Sequence, residues 1–130
     1  MRSLRDTSGA PIYNDVRVGV IIVWSEIDGN EQMKIINEVD VMAMNGAIPI
    51  FVSCKNGSFK TNELYKLSMV AEHFGNKYAK KILVTTEMDS FDVERAKFLR
   101  ARIDDFGIRR IEVNKNTSIT ALAQKFINIY

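Results

Sequence analysis

The sequence contains very little cysteine and histidine, with one residue of each among its 130 residues. The single cysteine, Cys54, cannot form a disulfide within the chain, so we expect a reducing compartment such as the cytoplasm. One cysteine and one histidine also cannot build a Cys/His zinc site within one chain. Any bound metal would therefore be held mainly by oxygen, which points to Mg²⁺ or Mn²⁺.

Long apolar runs are also absent. The clearest run, Val18 to Trp24, has seven residues, whereas a membrane-spanning helix needs about twenty. The N-terminal stretch MRSLRDTSGAP has no apolar core, so we predict neither a secretory signal nor a membrane partner. The net charge of +2 is too small a bias to indicate nucleic-acid binding by itself, and any basic surface must be local.

The first half of the chain has the pattern of an antiparallel meander. Residues 14–24 are rich in Val and Ile, which favours a strand. Two further apolar runs, 34–44 and 47–55, flank Asn45-Gly46, a dipeptide typical of a two-residue β-hairpin turn. We therefore predict three consecutive antiparallel strands, preceded by an irregular lead-in at 1–13.

The second half alternates between helical and strand patterns. Helices are predicted at 61–74, 91–106 and 118–127, and short strands at 81–85 and 110–113. Thr61 and Ser90 are the expected N-caps of the first two helices. Strand–helix–strand crossovers imply parallel pairing in this half. The prediction is a single α/β domain at 14–130, with a mixed sheet flanked by helices.

The predicted hairpin carries charged residues inside its strands. Side chains alternate between the two faces of a strand, and directly paired residues point to the same side. With a two-residue turn at Asn45-Gly46 and no bulge, Glu38 lies opposite Ser53. Four polar side chains then converge on one face: Glu38, Asp40, Ser53 and Lys55.

This grouping suits phosphodiester hydrolysis. Neighbouring carboxylates bind a hard divalent cation, a metal-bound water ionises readily, and an ammonium group stabilises phosphate charge. The alternative is a set of ordinary cross-strand salt bridges on a solvated face, each contributing roughly 0.2–1 kcal/mol. The spacing of Asp40, Ser53 and Lys55 alone does not separate the two interpretations.

The stretch NEVDVMAMNGAIPIFVSCKNG resembles the PD-(D/E)xK, or restriction-endonuclease-like, nuclease superfamily. More narrowly, it resembles the nuclease domain of CRISPR-associated effectors that carry a CARF sensor domain. Their pattern is close to Asn-Glu, an aliphatic residue, Asp-Val, a short turn, and then Asp, Glu or Ser, followed by Cys-Lys, Thr or Asn, and Gly. The later segments LYKLSMVAEHFG, KKILVTT and DVERAKFLRARIDDFGI follow in the order of that subfamily. The resemblance covers about residue 14 to the end.

The resemblance implies a role for each motif residue. Asp40 matches the metal-binding acid and Lys55 the motif lysine. Ser53 stands where the superfamily usually has Glu or Asp, so a weaker hydroxyl ligand replaces a carboxylate. Glu38 is our candidate for the missing charge, and the backbone carbonyl of Cys54 is expected to reach the metal. The predicted cofactor is Mg²⁺ or Mn²⁺.

The resemblance also implies partners that lie outside this sequence. The family usually has an acidic helix before the meander and a sensor domain, and neither is present here. The chain therefore resembles a C-terminal fragment of a longer effector. The implied context is antiviral defence, with DNA or RNA as substrate, gating by a cyclic oligoadenylate bound to the absent sensor domain, and a homodimer in the full-length protein.

Two residues near the motif, Lys60 and Cys54, each have a further interpretation. Lys60 closely follows the hairpin and is a candidate phosphate contact, although a solvated surface lysine fits equally well. The side chain of Cys54 alternates away from Lys55 and is expected to be a small core residue. Two other functions stay open: a non-catalytic nucleic-acid-binding module with a degraded site, and a structural or dimerisation domain with a charged sheet face.

Overall fold

The computed structural model describes residues 1–75, 77–86 and 88–129. Its strands are β1 (Asp15–Asp28), β2 (Glu31–Asn45), β3 (Ile48–Lys55), β4 (Lys80–Thr85) and β5 (Arg109–Glu112). Its helices are α1 (Thr61–Phe74), α2 (Val93–Asp105) and α3 (Ile119–Asn128), with a short 3₁₀ turn at Met88–Ser90 before α2.

The strands form one mixed sheet in the order β1-β2-β3-β4-β5. The first three pair antiparallel, whereas β3, β4 and β5 pair parallel because α1 and α2 provide the crossovers. The predicted α/β class and the mixed sheet are therefore confirmed. The predicted strands are shorter than the observed ones mainly at the far end of the first hairpin, where β1 and β2 continue to a turn at Gly29-Asn30.

Each face of the sheet has its own core. We call the face that packs against α1 and α2 the front face; its fully buried residues include Phe51 and Leu83. The opposite, back face includes Ile50, Val52 and Ile82, and it is covered by residues of the lead-in and by α3. Adjacent residues of β3 thus enter different cores, as the two-residue period of a strand requires.

Two helix caps differ from their predictions. The N-cap of α1 is Lys60 rather than Thr61, and Lys60 makes no capping bond through its side chain. The N-cap of α2 is Asp92, whose carboxylate accepts the Arg95 N–H at 2.8 Å, because Ser90 belongs to the preceding 3₁₀ turn.

Among the described residues, no helix has the length and apolar character that a membrane crossing requires.

The hairpin turn lies one residue later than predicted. Asn45 pairs with Ile48, so Gly46 and Ala47 form the turn. Gly46 has a φ of +60°, whereas Asn45 does not adopt the left-handed region that a turn at Asn45-Gly46 would demand of it. A glycine at the first turn position fits a type II′ turn instead. The register therefore shifts by two residues, which leaves the faces of β3 as predicted.

Candidate active site

Along the β1–β2 hairpin, the side chains that face the front core change to the back face at one position. Val20 and Val39 form a pair that packs into the front core, whereas Val18 and Val41 form a pair on the back face. Residues two apart in a regular strand share a face. The side chains of both strands therefore switch from one face of the sheet to the other between these two pairs. Gly19 lies at this level with a φ of +61°, a conformation that glycine adopts without steric conflict.

Asp40 lies where the side chains of β2 switch faces, and its carboxylate accepts a hydrogen bond in place of a backbone carbonyl. The ladder between β2 and β3 ends at the pair Val41–Val52, so beyond that point β3 is paired with β4 but no longer with β2. Asp40 Oδ2 instead accepts the backbone N–H of Cys54 at 2.6 Å. The two strands are thereby held together by one side chain while their backbones diverge, and a gap opens between them.

The gap, bounded by α1, forms a pocket of about 270 Å³. Its polar lining residues are Asn37, Glu38, Asp40, Ser53, Lys55, Glu63 and Lys66. The structure therefore brings together the three predicted catalytic residues, Asp40, Ser53 and Lys55, on the front side of the sheet.

Lys55 is held by an acid that the sequence interpretation missed. Its Nζ lies 3.1 Å from Oε2 of Glu63, in the first turn of α1. The two side chains are 27% and 34% exposed, so the pair is partly shielded from solvent, and its main effect is to orient the ammonium group. An acid in the first turn of the helix directly after the motif was the available signal.

Glu38 differs from its prediction. It borders the pocket, but its cross-strand partner is Ile21, which is 66% exposed and alternates with the front-core residues Val20 and Ile22. Its side chain therefore leaves the strand on the face opposite the front core. The predicted face shared with Asp40 is wrong because the alternation is interrupted between Glu38 and Val41.

Cys54 differs from its prediction, whereas Lys60 has the exposure expected of a solvated surface lysine, one of its two interpretations. Cys54 is exposed rather than a core residue, and it lines an apolar groove on the back face. Burial of the thiol among the groove walls, reinforced by the nearby Asp40 carboxylate and opposed by Lys55, raises the pKa of Cys54. Lys60 is exposed at the start of α1 and is not among the residues that line the pocket.

The backbone of β3 directs one carbonyl toward the gap. Thr86 N–H donates to the Lys55 carbonyl, so Lys55 presents its backbone groups to the β4 side. The preceding residue presents its N–H and C=O to the opposite side, because both groups of one residue project together from a strand. The N–H of Cys54 confirms this direction by reaching Asp40, and the Cys54 carbonyl therefore faces the β2 side.

The oxygen atoms of the pocket fit a hard divalent cation in type. Asp40 and Glu63 provide carboxylates, Ser53 a hydroxyl, and Cys54 a carbonyl on the adjoining strand edge. Within the part of the chain that the structure describes, no three His, Cys, Asp or Glu side chains form a metal-binding group. A cation here would therefore need ligands of mixed type, including hydroxyl, carbonyl and water oxygens.

Comparison with known proteins gives a structural likeness but no family. No family model and no curated protein matches the chain. Among solved structures, the chain is similar to protein VC1899 from Vibrio cholerae, with 20% sequence identity and a TM-score of 0.58 over 91% of this chain. The chain spans 29% of the length of that protein. At this identity the likeness establishes the fold alone.

Proposed function

We propose that this chain is a metal-dependent nuclease domain of the restriction-endonuclease-like, PD-(D/E)xK type. The observation that carries the proposal is the pocket itself, in which the Asp40 carboxylate, Ser53 and the Lys55 ammonium group meet where β2 and β3 separate. The order of a three-strand meander, a helix and a parallel strand supports the same proposal. The reaction is hydrolysis of a phosphodiester bond in DNA or RNA.

The residues divide the work between metal binding and charge stabilisation. Asp40, with Ser53, Glu63 and the Cys54 carbonyl, would hold Mg²⁺ or Mn²⁺, which would supply an ionisable water and a Lewis acid. Lys55 places its ammonium group beside the reacting phosphate and stabilises the negative charge that develops there. Glu63 keeps this ammonium group in the pocket, and the Cys54 N–H fixes the Asp40 carboxylate. Glu38 is a weaker candidate ligand at the border.

The resemblance supplies the wider proposal. The domain would be the C-terminal part of a CRISPR-associated defence effector that acts in the cytoplasm as a homodimer. A sensor domain outside this chain would bind a cyclic oligoadenylate and gate the nuclease. These features rest on the likeness of the NEVDV and SCKNG segments to that subfamily.

A second function is favoured by one observation. Ser53 replaces the usual motif carboxylate, and the described residues contain no cluster of three metal-binding side chains. Such a site is also what a non-catalytic nucleic-acid-binding module would retain after losing catalysis. The two functions differ in whether phosphodiester bonds are broken.

The test is a cleavage assay on end-labelled single-stranded DNA, single-stranded RNA and nicked duplex with Mn²⁺. We expect Asp40→Ala and Lys55→Ala each to lower the rate by about 10²–10³-fold, the usual loss when one group that stabilises transition-state charge is removed. Lys97→Ala is the control, because Lys97 is an exposed lysine of α2 outside the pocket.

The outcomes separate the alternatives. Equal cleavage by the wild type and Lys55→Ala would remove Lys55 from the mechanism. Binding of the substrates without any metal-dependent cleavage would favour the binding module. Circular dichroism of each variant identifies losses that arise from unfolding rather than chemistry.

A further inference from the structure

We infer that Lys66 is the residue that binds the nucleic-acid backbone at the pocket, and that Lys60 does not. The inference rests on the proposed function in so far as it takes a polynucleotide as the ligand. It concerns a phosphate next to the one that is cleaved, and therefore substrate positioning rather than chemistry. Position relative to the pocket, rather than proximity in sequence to the motif, separates the two lysines.

Lys66 lies in the pocket wall without a competing partner. It follows Glu63 by three residues, which places both side chains on the same face of α1. Lys55 is already committed to Glu63 at 3.1 Å. No acid of the described residues lies within salt-bridge distance of Lys66, and its side chain is exposed. Of the two lysines that line the pocket, Lys66 is thus the one whose ammonium group has no acidic partner among the described residues.

The negative charge of the pocket lining indicates what Lys66 contributes to the binding of a phosphate. The residues that line it include three with carboxylates, counting Glu38 at its border, and two with ammonium groups, which gives a formal net charge of −1 before any metal binds. Removal of Lys66 would change this to −2, and a phosphate would then approach a more strongly repelling surface. An available cation at the border offsets part of that repulsion and directs the backbone toward Lys55.

The helix holds the base of Lys66 firmly while its charged end remains adaptable. The next residue, Leu67, and Val70 one turn later are buried in the front core, which fixes this part of α1 against the sheet. The four-carbon stem of the lysine extends from this fixed point into solvent. Lys60 is also exposed, but it precedes the helix and lies outside the pocket lining.

The test compares Lys66, in the second turn of α1, with Lys60, the N-cap of the same helix. Binding of a fluorescein-labelled single-stranded oligonucleotide is measured by anisotropy, without divalent metal and over a series of NaCl concentrations. For Lys66→Ala we expect weaker binding. The slope of log K against log[NaCl] should also become shallower by about 0.7, the value of one phosphate contact with a single strand. Lys66→Arg should retain the wild-type slope, and Lys60→Ala should leave it unchanged.

Four results would overturn the inference: no binding by the wild type, an unchanged slope in Lys66→Ala, the same loss in Lys60→Ala, or no rescue by arginine. A merely structural role would not be rescued selectively in the salt slope. The proposed catalysis is tested separately, because binding is measured without metal. A slope that depends on Lys66 in a chain that never cleaves would retain this inference and refute the nuclease activity.

Discussion

Ser53 and Cys54 are neighbours in β3, yet their side chains enter two different environments. Ser53 faces the front, where carboxylates and ammonium groups line a pocket beside α1. Cys54 faces the back, where a groove of about 470 Å³ is lined mainly by apolar side chains of the lead-in, the sheet and α3. The alternation of one strand is therefore sufficient to separate a polar site from an apolar surface by a single residue.

The two sides are nevertheless connected through one backbone amide. The residue whose side chain lines the groove, Cys54, donates its N–H to the carboxylate of Asp40 in the pocket. The connection exists because β2 leaves β3 at this level and the Asp40 side chain replaces a strand partner. The comparison teaches that the site depends on a local interruption of the sheet as well as on the chemistry of its residues.

The largest effect on stability is expected for removal of a front-side anchor of β3. Phe51 is completely buried, and Phe51→Ala should lower the free energy of unfolding by about 3–5 kcal/mol through lost burial and a cavity. Cys54→Ala, on the groove side of the same strand, should change it by less than about 0.5 kcal/mol because Cys54 is exposed. Urea denaturation measures both; similar losses would contradict the distinction between the two sides.

An intermediate effect is expected at the level where the hairpin changes faces. Gly19 and Gly29 have φ values of +61° and +63°, and a Cβ at either would meet no atom within 4 Å. Alanine at either position should therefore destabilise the fold by about 1–2 kcal/mol through backbone strain alone. Gly19→Ala should also accelerate hydrogen exchange of the Cys54 amide, whereas Gly29→Ala, at the distant turn, should not. Equal exchange in both would refute the link between the reversal and Asp40.

The smallest effect is expected in the reactivity of Cys54. Since Asp40 is one of the groups that raise the pKa of this thiol, Asp40→Asn should lower that pKa and increase the thiolate fraction at any given pH. Alkylation by iodoacetamide near about pH 8 should therefore be faster in Asp40→Asn than in the wild type. Asp15→Asn, a remote exposed change, serves as the control. An unchanged rate would show that the two sides are electrostatically independent.

The sequence predicted the elements well because their signals are local. The helix at 61–74 and its end at Gly75 follow from apolar spacing and from a residue that stops the helix, and both match α1. The antiparallel pairing of the first three strands also followed from the sequence. The faces of Ser53, Cys54 and Lys55 followed as well, because alternation was counted within one regular strand. The predicted turn at Asn45-Gly46 was wrong by one residue, since the preference for a dipeptide does not fix its φ angles.

The candidate site was predicted less completely because part of it arises between elements. Glu63 belongs to a helix, and no spacing rule for the hairpin could place its carboxylate beside Lys55. Glu38 was assigned to the wrong face because the count passed through Asp40, where the strand reverses. Lys66 was not considered, since only its position on α1 relative to the gap distinguishes it from Lys60.

By itself, the sequence determined the alternation of strands and helices and the face of β3 to which each of its side chains belongs, since both follow from the periodicity of side chains along a local backbone. It also determined that Asp40, Ser53 and Lys55 belong to neighbouring strands. Only the tertiary structure decided which other groups join them. The physical reason is that the pocket forms between segments that are distant in sequence. Gly19 with its positive φ lies in β1, the ladder between β2 and β3 ends early, and α1 packs across the resulting gap.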